Sequence, residues 1–255
     1  MRRAIFASIV FATVIMASVA FSSPSTSVLL HAPRISDGLS RGQALNWAGY
    51  AVETSLSSPL NGAVTDVKGS WTVPAVNCAS SPNSYSSFWI GIDGYSSGTV
   101  EQIGTDSDCN SKKAVYYAWY EMYPAYPVNL NIKVSPGDTI NAEVQYVGNN
   151  QFTLTLTDKK TSYSTTQTLS GAARSSAEWI AEAPSVGGGI TNLANFGSVY
   201  FTGCQVTLNG YTGPINDNAW QSDAITMVTR NGIVKAQPSS VSKDGSAFSV
   251  TWYHK

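Results

Sequence analysis

An all-β protein of two large packed antiparallel sheets is the fold class this sequence predicts. Three observations lead there. Short runs of alternating, aromatic or β-branched residues recur along the chain. Clusters of Gly, Pro, Asn, Asp and Ser separate them. After the first twenty residues no stretch sustains an apolar stripe with a period of 3.6. The candidate strands are Trp47–Glu53, Val67–Val73, Ser86–Ile92, Val100–Gly104, Ala114–Met122, Val128–Val134, Asp138–Tyr146, Gln151–Thr157, Ser164–Leu169, Ala177–Glu182, Ser198–Thr202, Gln205–Leu208, Ala224–Val228 and Ala247–Trp252. In Ala114–Met122, Tyr117, Trp119 and Glu121 point one way, and Tyr116, Ala118 and Tyr120 the other. Pro136-Gly137-Asp138, Gly148-Asn149-Asn150 and Asn209-Gly210 read as turns. Leu193–Phe196 alone suggests a helical turn. So many strands without a fixed internal repeat favour a sandwich over a propeller or solenoid.

The chain has 255 residues, of which 43% are hydrophobic and 12% charged, with a formal net charge of −1. A packed core is affordable on that composition, and nothing in it suggests a nucleic-acid partner. Few titrating groups also suit a protein that must tolerate acid. Arg2 and Arg3 precede an apolar stretch from Ala4 to Ala20 that ends in Ser18-Val19-Ala20, the pattern of a cleaved signal peptide over residues 1–20. Residues 21–45 are rich in Ser and Pro and read as a short pro-segment or linker. The globular domain is expected over 46–255. The expected product is secreted, free of the membrane once the signal is removed, and monomeric. Export permits disulfides. Of the three cysteines, Cys78 and Cys109 are the preferred pair on loop context, leaving Cys204 over.

Several chemistries are excluded by what the sequence lacks. The two histidines are His31, in the Ser/Pro-rich stretch, and His254, the penultimate residue. Neither promises an imidazole held on a folded scaffold between a nucleophile and an orienting acid. No HExxH, paired CxxC, Walker loop or strand–GxGxxG–helix occurs, and no cofactor is expected. The Asp-[Thr/Ser]-Gly loops of the pepsin type are absent. Carboxyl and amide groups remain. A strand glutamate is most often solvated surface. Two differ by context. Glu121 lies among Tyr117, Trp119 and Tyr123, and Glu178 precedes Trp179 and shares a face with Ile180 and Glu182. A carboxyl against aromatic surface loses solvation and holds its proton more tightly.

Seven stretches in order carry a resemblance. Asn46-Trp47-Ala48-Gly49-Tyr50 and Gly69-Ser70-Trp71-Thr72-Val73-Pro74 come first. Phe88-Trp89-Ile90-Gly91-Ile92-Asp93-Gly94 and Glu101-Gln102-Ile103-Gly104-Thr105 follow. Then come Tyr117-Ala118-Trp119-Tyr120-Glu121-Met122-Tyr123-Pro124, Ser176-Ala177-Glu178-Trp179-Ile180-Ala181-Glu182 and Phe196-Gly197-Ser198-Val199. Together they resemble the glutamic peptidases, or eqolisins, with this chain as a bacterial- or archaeal-type relative of the fungal acid endopeptidases. The resemblance implies a concanavalin A-like, jelly-roll sandwich with a groove on one sheet. It implies catalytic roles for Gln102 and Glu178, and substrate-binding roles for Trp89, Asp93, Trp119, Glu121 and Tyr123. It implies polypeptide substrates. One position departs from the pattern: Tyr117 stands where the fungal sequences have an acid.

The implied chemistry agrees with the exclusions. An ionised Glu178 would take a proton from water and return it to the leaving nitrogen, while Gln102 donates to the oxyanion. Such a base needs neighbours that favour its anion in acid. Two alternatives differ in kind. A glycoside hydrolase would pair Glu121 with Glu178 or Glu182 and give Gln102 no role. A non-catalytic module would use the aromatic strand as a ligand platform.

Overall fold

The computed structural model describes residues 28–79 and 81–255; the signal-peptide reading of residues 1–20 lies outside them. Nineteen strands form, and the described residues contain no helix. In chain order they are β1 (Leu29–Leu30), β2 (Gln43–Ala44), β3 (Trp47–Glu53), β4 (Val64–Thr72), β5 (Ser87–Ile92), β6 (Val100–Asn110), β7 (Lys113–Tyr123), β8 (Val128–Asn129), β9 (Thr139–Gly148) and β10 (Gln151–Thr157). They continue with β11 (Ser162–Thr168), β12 (Ser176–Glu182), β13 (Ser185–Val186), β14 (Gly189–Ile190), β15 (Ser198–Leu208), β16 (Tyr211–Pro214), β17 (Gln221–Val228), β18 (Val234–Pro238) and β19 (Phe248–Trp252).

The strands make two large antiparallel sheets. One runs β11-β10-β9-β4-β15-β19-β18-β17, and the other runs β17-β3-β12-β5-β6-β7-β8. β17 pairs with both β18 and β3, so the hydrogen-bonded path turns from one layer into the other there. A small third sheet, β1-β13-β14, is separate.

Alternation decides what each layer buries. Ala177, Trp179 and Ala181 of β12 and Phe88, Ile90 and Ile92 of β5 face the opposing sheet, where they meet Val67 and Trp71 of β4 and Phe201 of β15. The polar ends of the core indoles are satisfied within the core. Trp71 Nε1 donates to Thr105 Oγ1 at 2.9 Å, and Trp179 Nε1 crosses the layers to the carbonyl of Lys68 at 2.9 Å. The opposite face of the second sheet carries another apolar set, including Trp47, Trp89, Trp119 and Ile180. That face is the groove floor.

The sequence expectations differ from this frame at several points: β1, β2, β13 and β14 were not anticipated, and β6 runs on from Gly104 to Asn110. Ser198–Thr202 and Gln205–Leu208 are one strand, β15, carried through Gly203 at φ +60° with a register shift against β4. A glycine there supplies the backbone conformation of a bulge. Val128–Val134 shrinks to the two residues of β8. Leu193–Phe196 is not a helical turn: Leu193 and Asn195 make isolated bridges to Tyr85 and Asn77. β16 and β18 lacked a clear alternating signal. Cys78 and Cys109 are disulfide-bonded, as loop context suggested, and Cys204 is free and buried.

Candidate active site

Register places the groove residues in rows across the second sheet. One row reads Asp223, Ala51, Glu178, Gly91, Gln102, Glu121, taken from β17, β3, β12, β5, β6 and β7. Glu178 and Gln102 thus flank Gly91 on one face. Strands lie about 4.8 Å apart, so the two side chains spring from backbone positions roughly 10 Å apart. Gly91 keeps the space between them clear: a Cβ there would sit 3.1 Å from the Gln102 Cβ and 3.1 Å from the Trp89 ring. Two rows on, Trp47, Glu182, Ser87, Asp106 and Tyr117 align. Between these rows Gly104 separates Trp89 from Trp119, and a Cβ on it would meet both side chains within 3 Å.

The groove holds the chain's own N-terminal stretch. Leu29 and Leu30 pair with Val186 and Ser185. His31 donates its backbone N–H to Glu121 Oε2 at 2.9 Å, and its carbonyl accepts from Gln102 Nε2 at 2.6 Å. Ala32 N donates to Glu182 Oε1 at 3.0 Å, and its carbonyl accepts from Trp47 Nε1 at 3.0 Å. Asn46 Nδ2 donates to the Pro33 carbonyl at 3.0 Å, and its Oδ1 accepts from Ile35 N at 2.8 Å. Arg34 N donates to the Gly94 carbonyl at 3.0 Å, and its guanidinium lies 4.2 Å from the Tyr95 ring centre. Most peptide groups of residues 30–35 are thus matched by the groove and the loops at its rim.

The histidine expectation needs correction here. His31 is held on a folded scaffold, 1% exposed. Its ring stacks on Trp119 with centroids 3.4 Å apart and planes 2° from parallel. Nδ1 is 2.7 Å from Glu121 Oε2, and Nε2 is 3.3 Å from Asp106 Oδ1. Burial opposes a charge on this ring, but Asp106 and then Glu121 overturn that and hold its pKa up at about 10. The imidazolium is therefore a bound cation in a two-carboxylate pocket. Among the described residues, its ring nitrogens meet Asp106 and Glu121.

The remaining residues divide by what they touch. Trp119 Nε1 donates to Asp106 Oδ1 at 2.6 Å, and Trp89 Nε1 donates to Glu182 Oε2 at 2.8 Å. Tyr117 donates to Asp106 Oδ2 at 2.8 Å and to Asp108 Oδ2 at 3.0 Å. A neutral phenol thus stands where the fungal pattern has an acid, and it bridges two other acids. Asp93 does not reach the bound segment. At φ +72° it accepts from Arg174 N, Ser175 N and Ser175 Oγ, and so fixes the turn that leads into β12. Tyr123 packs at the edge of the groove cluster. Asp106, Glu182 and His31 are contacts that the resemblance did not supply. Asp106 could have been found by parity, because it lies four residues beyond Gln102 on the same strand face.

Glu178 is buried, and among the described residues neither of its oxygens meets a donor in hydrogen-bond geometry, nor does Gln102 Oε1. Burial pushes Glu178 well above the usual carboxylate range. The Ser176 hydroxyl works against that, and Asp93, Glu53 and Glu101 add to it. The expected anion-favouring surroundings are therefore not found while the segment is seated. Glu182 is pushed up to about 8 by burial, against the pull of His31 and Trp89.

A sandwich with a peptide-filled, acid-lined groove has close counterparts. The Peptidase A4 family profile matches residues 45–252. The chain is 32% identical over 234 residues to Aspergillopepsin-2 of Aspergillus niger, covering 81% of this chain and 77% of that protein. Scytalido-glutamic peptidase with a transition state analog inhibitor superposes with a TM-score of 0.68 at 22% identity, covering 82% of this chain and 98% of the other. The eqolisin SCP-B, solved with the tripeptide Ala-Ile-His, superposes with a TM-score of 0.65 at 22% identity over the same shares. Fold and relatives together define a peptide hydrolase on an all-β sandwich, which sets aside the glycosidase and binding-module alternatives. The chain belongs to the Peptidase A4 family, the eqolisins or glutamic peptidases.

Proposed function

We propose that this chain is a secreted acid endopeptidase that cuts polypeptides with Glu178 and Gln102 as its working pair. One observation carries the reading. Gln102, two strands from Glu178 across Gly91, donates its amide to a peptide carbonyl of an extended chain in the groove. A carboxamide keeps that donor at any pH, and it is aimed where a tetrahedral oxyanion would develop. Glu178 is the general base toward water and then the acid toward the leaving nitrogen. Trp119 and Glu121 hold the substrate side chain and backbone just before the cut, and Trp89 braces Glu182 beneath the leaving nitrogen. Asp93 and Tyr123 support the groove at its ends. Departure of the seated segment opens the groove to water, and solvation favours the Glu178 anion. Residues 1–20 direct export and are removed, and the mature enzyme acts as a monomer.

The test is digestion of an unfolded protein in acid and at neutral pH by wild type, Glu178→Ala and Gln102→Ala. Loss of the amide donor is expected to lower the rate by about 10²–10³, and loss of the carboxyl by at least as much. Wild-type rates in both variants would sink the assignment.

A further inference from the structure

We propose that a pocket against β18, lined by Lys235, Arg230 and Lys255, is a binding site for a small oxyanion, with Lys235 as its central ligand. The site lies apart from the Glu178–Gln102 row and does not depend on that reading. Its volume is about 220 Å³. Among the described residues, three cationic residues and no acidic one line it. Thr191, Asn192 and Thr229 add hydroxyl and amide groups to the same wall. Thr229 Oγ1 accepts from Ile233 N at 3.1 Å, which leaves the hydroxyl proton for another partner.

Lys235 is placed by a fault in the strand ladder. Met227 pairs with Ala236 and Val228 with Val234, so Lys235 is the extra residue of a bulge. Its carbonyl is held by the backbone N–H groups of Tyr253 and His254 at 2.8 and 3.1 Å. A bulge of this kind re-aims a side chain away from the regular alternation. Here it carries a lysine into the pocket wall, where the residue is only 6% exposed. Lysines so deeply buried are almost always paired. The nearby acid is Asp37, and it is engaged by Arg230 at 2.8 Å. Burial alone draws the Lys235 pKa down, to about 8, with no carboxylate holding it up. The ammonium is therefore still charged in acid, and the protein supplies its neighbours as further cations and neutral donors rather than as a counter-ion.

An anion resolves that imbalance. Carboxylates and phosphates accept the charge-assisted hydrogen bonds that an ammonium and a guanidinium offer. The volume exceeds the ~30 Å³ share of one water several-fold, so the pocket admits a group of several heavy atoms. Leu45, Ile190 and Val228 form an apolar side that accepts a short carbon skeleton beside the charged head.

The full chain, exchanged into chloride buffer in mild acid, is titrated with inorganic phosphate or with citrate at constant ionic strength, and followed by calorimetry and by melting. Wild type is expected to take up one anion per chain, with a saturable rise in melting temperature of about 2–4 °C. Lys235→Met is expected to bind at least tenfold more weakly, yet to melt no lower than wild type in chloride, because it removes an unpaired buried charge. Its continued digestion of an unfolded protein would show that it is folded. Lys68→Met, on the outer face of the other end of the molecule's first sheet, is expected to bind as wild type does. Should Lys235→Met fail to fold, Arg230→Gln and Lys255→Gln read the same pocket, and unchanged affinity in both overturns the proposal. Uptake of phosphate alone assigns an inorganic anion, and uptake of citrate alone a carboxylate. Binding of neither, undiminished binding in Lys235→Met, or a rise that never saturates and is matched in that variant overturns it.

Discussion

At the scale of single residues, the groove replaces one acid with a neutral donor and builds on it. Tyr117 spans Asp106 and Asp108, two carboxylates on the same face of β6. Burial, then Asp106 and Asp108, push its phenol far upward, so it stays protonated and donates at every pH at which the enzyme could act. Asp108 is itself driven well above the usual carboxylate range by burial and then by Asp106, and the Tyr117 hydroxyl pulls it back. Tyr117→Phe removes that donor and leaves buried oxygens short of a partner. Its expected cost is about 1–3 kcal/mol in denaturant unfolding. An unchanged denaturation midpoint would show that the bridge adds nothing to stability.

At the scale of elements, the sheet that carries the groove is tied at its back. The disulfide between Cys78 and Cys109 joins the chain before β5 to the end of β6 across a separation of 31 residues. It closes around the two strands that bring Gly91 and Gln102 together. Replacing both cysteines by serine is expected to lower stability by about 2–4 kcal/mol, read as a lower denaturation midpoint. An unchanged midpoint would mean that the strand pairing alone fixes this corner. The elements were largely legible beforehand because period-2 alternation is a local property, clearest in β7, β9 and β10. The short pieces were not. β8 is two residues long, and Leu193 and Asn195 bond across loops, so nothing repeats nearby to reveal them. Register was illegible for a different reason. That Glu178 joins Gly91, Gln102 and Glu121 in one row depends on the pairing of β12 with β5, strands far apart in sequence. Only the family resemblance pointed to the pair. His31 was missed because its segment has no pattern of its own and is placed by contacts with the groove.

For the whole molecule, the notable quantity is the number of carboxyls kept out of water. Glu53, Asp66, Glu101, Asp108, Glu178 and Glu182 all have raised proton affinity, with burial the leading cause in each. The folded chain therefore holds protons that the unfolded chain releases first, and stability falls as pH rises through that interval. Asp66 moves from 3.8 to about 6 and Glu182 from 4.5 to about 8, so the decline should run from roughly pH 4 to 8. The melting temperature of the intact chain is expected to be highest in acid and lower at neutral pH. A melting temperature that climbs from acid to neutral would contradict the buried-carboxyl account. Low overall charge, already visible in composition, suits the same conditions but did not reveal that so much of the acid content is interior.

The seated segment is also a matter of concentration. Ala32 is only 14 residues from Asn46, where the sandwich begins. A ligand on so short a leash meets its site at an effective concentration on the order of millimolar, however dilute the protein becomes. Dilution of the enzyme therefore cannot free the groove. A soluble peptide must outcompete a partner that never diffuses away, until a bond in the leash is broken.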